Sequence, residues 1–145
     1  MVGRLAMRGN DVEMSGKLVG DDGLRRGIEL FNRRKFFEAH EVLEEVWRET
    51  RAQARRGHLQ GLVQLAVALH HESRGNLAGA RSVLERALRN LVNAEDSFPE
   101  IDWAGLFAGG EEWRRYLAGA APRPELPRLY LRGGVIEHPA RISGE

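Results

Sequence analysis

All five prolines of this 145-residue chain stand at Pro99 or later, and that placement constrains the fold more than any other feature. Proline breaks a helix interior by removing a backbone donor and clashing with the preceding turn. Everything before Pro99 is free of that restraint, and its apolar residues recur at helical spacing: Leu24, Ile28 and Phe31, then Phe36, Ala39, Val42, Leu43, Val46 and Trp47, then Leu77, Ala80, Leu84, Ala87, Leu88 and Leu91. No alternating pattern of the kind a half-buried strand needs runs through this part. The expected fold class is therefore all-α, a compact multi-helix bundle of antiparallel helices with short C-terminal helices and a Pro-rich extended tail.

Residues 1–20 carry four Gly and no sustained apolar period and read as a mobile lead-in. Residues 21–120 read as the bundle domain, and residues 121–145 as an extended Pro/Gly-containing tail packing on or leaving it. Asp21 and Asp22 are candidate caps for a first helix, which a polar break at residues 32–35 separates from a second over 36–50. Residues 51–57, polar and basic, read as a loop. A third helix over 58–74 is nearly apolar all round and should be central. Gly75 and Asn76 supply a helix stop and the next cap, and a fourth helix runs to about residue 94. Beyond Pro99, residues 101–109 suit a short helix capped by Asp102, and residues 111–119 suit another. Leu129, Leu131, Val135 and Ile136 favour a short strand for which the sequence offers no partner.

Twenty-two basic against 21 acidic residues leave a net charge of +1, which argues against nucleic acid as a partner. With no Cys, disulfides, thiolate nucleophiles and Cys-based metal sites are excluded, so any metal falls to His and carboxylates. No cofactor is required by any motif. The longest apolar stretch, residues 62–69, is interrupted by Gln64 and is far short of a membrane span, so a cytoplasmic location is expected. Trp103, Phe107, Trp113 and Tyr116 are open to two uses, capping the bundle or forming the face of a homodimer.

Polar residues on the wrong helical face mark the candidate site. At about 100° per residue, His40 and Glu44 fall beside the apolar arc of the second helix, with Trp47 one turn further and Glu41 at the border. Gln60, Gln64 and His71 form a polar stripe on the third helix, with His70 nearer its apolar side. Antiparallel packing brings the two patches together. Three readings stay open: a buried hydrogen-bond network, a small-ligand pocket of a non-catalytic binding domain, or a metal site from His40, Glu44 and His71. The last lacks the second His of H-E-x-x-H, because residues 40–44 read HEVLE. Two further alternatives are a metal-dependent or acid–base hydrolase using His40 or Glu44, and RNA or phosphate binding through residues 48–58.

The blocks FNRRKFFEAHEVLEEVW, HLQGLVQLAVALHH and GNLAGARSVL together resemble the bacterial and archaeal family called domain of unknown function 309, over roughly residues 23–91. The resemblance implies a compact all-helical domain. Its recurring residues fall on Phe31, Asn32, His40, Glu41, Glu44, Trp47, Gln60, Gly61, Gln64, Gly75, Asn76 and Ala80. It implies a place of interest but no reaction.

Overall fold

The computed structural model describes the backbone of residues 13–131 and the side chains of residues 22–131. Val135, Ile136 and the start of the expected lead-in lie outside the described residues. In order, the elements are α1 (Glu13–Asn32), α2 (Phe36–Glu49), α3 (Gln53–Ser73), α4 (Leu77–Asn90), a 3-10 turn (Ala94–Asp96) and α5 (Trp103–Leu117). The all-α bundle forms as expected. Contacts run chiefly between chain neighbours, α1 with α2, α2 with α3, α3 with α4 and α4 with α5, and the short links between the first four set neighbouring helices antiparallel.

α3 is the central rod. Its Leu59, Leu62, Leu65, Ala66 and Leu69 are buried, and the core continues into Phe31, Leu43, Leu84 and Leu91 from the helices around it. Each such leucine contributes about 1.5–3 kcal/mol relative to leaving it in water. Gly61 lets α4 come close, since a Cβ there would meet Leu91 Cγ at 2.7 Å and the Ala87 carbonyl oxygen at 3.2 Å.

Three helices end alike, with a left-handed residue after the last turn and two backbone bonds that satisfy orphan carbonyls. At the end of α3 Gly75 N–H donates to Glu72 O and Asn76 N–H to His71 O, both at 2.9 Å, with Gly75 at φ +82°. Asn76 then caps α4 by accepting from Gly79 N–H at 3.0 Å, as its sequence position suggests. Gly119 ends α5 in the same way at φ +81°. At the end of α1 the left-handed position belongs to Arg34, at φ +65°, and Phe31 meets Phe36 edge-on across the turn with ring centroids 5.2 Å apart.

Several boundaries differ from expectation. α1 starts at Glu13, so Asp21 and Asp22 lie within the helix and not at its start. α3 starts at Gln53, which turns most of the expected loop into helix. The reason is that two of its cations lie on rings: Arg55 over Phe98 at 4.4 Å and Arg56 over Trp47 at 4.1 Å. α4 stops at Asn90, and a turn over residues 91–93 takes over most of the last residues expected of it, with the 3-10 turn beginning at Ala94. The two expected C-terminal helices are one, because Gly110 is buried against Leu88, where a Cβ would sit 2.9 Å from Cδ2. Its close packing on α4 outweighs its low helix propensity.

After Gly119 the chain runs extended along the bundle. Trp113 Nε1 donates to Glu125 O at 2.8 Å. Asn32 donates from Nδ2 to Leu129 O at 2.9 Å and accepts from Leu129 N–H at 2.8 Å, so one side-chain amide does the work of a neighbouring strand. Leu131 forms an isolated antiparallel bridge with Ile101, which is the partner that the sequence did not reveal. Trp103 and Trp113 are buried in the core, with Phe107 and Tyr116 packed against it, so these aromatics cap the bundle.

Candidate functional site

The facing polar patches of α2 and α3 do meet, at the surface and not in a sealed core. Glu44 and Trp47 from α2 and Gln60, Val63 and Gln64 from α3 line a cavity of about 120 Å³. Four of the eight residues singled out from the sequence thus share one groove. Gln64 Oε1 accepts from Asn90 Nδ2 at 2.7 Å, which ties α3 to α4, whereas a link to α2 was expected. Gln60 is exposed, and Trp47 is sandwiched beneath Arg56, whose Nη1 donates to Trp47 O at 3.0 Å and to Thr50 O at 3.1 Å.

His40 and Glu44 are not the buried pair that the wheel arithmetic implied, since their side chains are 23% and 40% exposed. His40 Nδ1 lies 3.1 Å from Phe37 O, and a carbonyl only accepts, so Nδ1 carries the proton. His40 Nε2 lies 3.6 Å from Glu44 Oε1, too long for a hydrogen bond. Glu44 is also near Arg48, at 3.9 Å. Glu41 is exposed and is not among the residues that line the cavity. The wheel locates the edge of an apolar arc but not how far the neighbouring helix reaches over it.

A second group stands beside the groove. Phe37, 48% exposed, places its ring centroid 5.4 Å from that of His40 and 5.3 Å from that of His70. His71 turns instead to the end of its helix, with Nδ1 3.3 Å from Asn76 Nδ2. The metal candidates His40, Glu44 and His71 are therefore not brought together, and among the described residues no three His, Asp or Glu are placed to hold a metal ion.

Two polar clusters escaped the sequence reading. His58 is buried, with Nδ1 2.6 Å from Ser97 Oγ and Nε2 3.1 Å from Val92 O, and Arg55 donates to Ser97 O at 3.1 Å. A carbonyl only accepts, so Nε2–H donates to Val92 O. Glu72 is buried too, and accepts from Tyr116 Oη at 2.9 Å and from Arg123 Nε and Nη2 at 2.8 and 3.1 Å. The hydrogen bonds from Arg123 hold its carboxyl below the usual carboxylate range, against the opposing effect of burial. The trace of Glu72 was in its spacing, because it continues the buried line of Leu62, Leu65 and Leu69 on α3.

Fold and groove together define a small helical-bundle domain with a small surface cleft between α2 and α3. Residues 24–83 match the family model described as Domain of unknown function (DUF309), in agreement with the resemblance read from the sequence. A stretch of 64 residues is 42% identical to the uncharacterized protein YpuF of Bacillus subtilis (strain 168), covering 44% of this chain and 37% of that protein. A stretch of 82 residues is 34% identical to an uncharacterized protein of Aquifex aeolicus (strain VF5), covering 57% of this chain and 25% of that one. The likeness thus spans well under half of either relative. Among the described residues no helix is long and apolar enough to cross a membrane.

Proposed function

We propose that this chain is a non-catalytic cytoplasmic interaction domain whose α2–α3 groove receives an apolar side chain from a basic helical segment of a partner protein. The observation that carries the reading is the cavity between Glu44, Trp47, Gln60, Val63 and Gln64. At about 120 Å³ it is smaller than the roughly 300–1,000 Å³ of pockets that enclose drug-sized ligands. It suits one anchor from a helix laid along the groove. The flank supplies charge, since α2 carries Glu38, Glu41, Glu44, Glu45 and Glu49 against Arg48 alone, which favours a partner bearing Lys or Arg. Phe37 extends apolar contact beyond the cavity.

Acid–base catalysis by His40 has less support, because Nδ1 is engaged by Phe37 O and the Glu44 contact is long. Phosphate binding by residues 48–58 is opposed by the internal use of Arg55, Arg56 and His58. The test is titration of an amphipathic helical peptide, one leucine anchor flanked by lysines, into isotopically labelled protein. Amide shifts should be confined to Glu44, Trp47, Gln60, Val63 and Gln64, and Gln60→Arg should abolish them at an unchanged melting temperature. Shifts elsewhere, or none at millimolar peptide, reject the proposal.

A further inference from the structure

The C-terminal extended segment and the end of α1 enclose a second, larger concavity of about 540 Å³, lined by Arg34, Arg123, Glu125, Leu126, Arg128 and Tyr130. Three guanidinium groups and one carboxylate line it, and even with Arg123 paired to Glu72 one positive charge is left over. Each arginine is set in place differently. Arg34 occupies the left-handed position that ends α1, at φ +65°, where the ends of α3 and α5 have Gly75 and Gly119. A long L side chain is disfavoured there, so the fold holds Arg34 in a sparsely populated backbone conformation. Arg128 is delivered by its neighbour Leu129, whose backbone is fixed at both N–H and C=O by Asn32. Arg123 is immobilised through Nε and Nη2 on Glu72 and lies over the Trp113 ring at 5.2 Å, and its guanidinium has more N–H groups than these two bonds use. Among the described residues, Arg34 and Arg128 make no side-chain hydrogen bond or ion pair.

We propose that Arg34, Arg123 and Arg128 form a binding site for a phosphomonoester with a planar organic group, such as a nucleoside monophosphate. Planar forks of N–H donors match phosphate oxygens in pairs, and Arg123, held by Glu72, loses little freedom on binding. The volume lies within the range of small-molecule sites, roughly 300–1,000 Å³, and far exceeds what a lone phosphate fills. Leu126 and the Tyr130 ring, a residue 39% exposed, offer the organic part a surface. Two of the three arginines fall outside the segment that matches the family model, so the site joins the shared domain to this chain's own C-terminal portion.

Calorimetric titration of the full chain with adenosine 5′-monophosphate, adenosine and inorganic phosphate, at matched ionic strength, tests this. The monophosphate should bind at one equivalent, more tightly than phosphate, with adenosine silent. Arg34→Gln and Arg128→Gln should each weaken it roughly tenfold or more, the effect of losing a charged hydrogen bond, at unchanged melting temperature. Equal affinity for phosphate and monophosphate, affinity retained in the double variant, or no heat at millimolar monophosphate each overturn the proposal.

Discussion

The carboxylate of Glu72 on α3 is gripped through two N–H bonds by Arg123, 51 residues further along the chain. The partners are unequal in burial, 7% exposed for Glu72 and 49% for Arg123. Arg123 also lies over Trp113, so one side chain joins α3, α5 and the Pro-rich segment.

Glu72→Gln should destabilise the fold by about 1–2 kcal/mol at neutral pH, a charged hydrogen-bond loss reduced by the exposure of Arg123. Because the folded carboxyl titrates below its usual range, its stabilisation is fully present above the unfolded value and is lost as pH falls toward the folded one. Melting temperatures of parent and variant should therefore converge on acidification below the ordinary carboxylate range. A gap that stays constant to the acid end contradicts this.

His58→Ala removes a buried ring and its bonds to Ser97 and Val92, and should cost about 2–4 kcal/mol. Ser97→Ala should cost about 1 kcal/mol, since one hydrogen bond is lost. Because the two side chains touch, the double variant should be less destabilised than the sum, and additive denaturation energies would show that the contact contributes nothing.

Gly61→Ala gains helix propensity but forces a Cβ against Leu91 and the Ala87 carbonyl. Overpacking of this kind should leave a net loss of about 1–3 kcal/mol. Urea denaturation of the variant measures it, and a stabilised protein would mean that α3 and α4 separate without cost.

Glu44→Ala should change stability by no more than about 0.5 kcal/mol, as for other exposed ion pairs. The half-exposed carboxylate and its 3.6 Å approach to His40 motivate this. A loss of several kcal/mol in thermal or chemical denaturation would restore the buried pair that the helical wheel implies.

Helix-forming periodicity is a local property, so α2 and the Gly75–Asn76 junction can be read from consecutive residues. The start of α3 is obscured because Arg55 and Arg56 resemble loop residues until Phe98 and Trp47 are placed beneath them. Gly109 and Gly110 suggest a break in α5 until Leu88 is seen to fill the space beside Gly110. The groove was foreseeable from two facing polar stripes, but its exposure depended on where the flanking helices end. Arg34, Arg123 and Arg128 give no periodic signal, because the turn geometry at Arg34 and the Asn32–Leu129 pairing are what gather them.

The bond pair between Asn32 and Leu129 closes a span of 97 residues, whereas helix contacts join neighbours in the chain. Closing a long loop costs more entropy than closing a short one, and distant pairings gain only once local ones are set. During synthesis, which proceeds from the N-terminus, α2, α3 and α4 each follow a packing partner already made, while Leu129 is still to be translated. The clasp therefore forms late in folding, and the arginine-lined concavity comes into existence only with it.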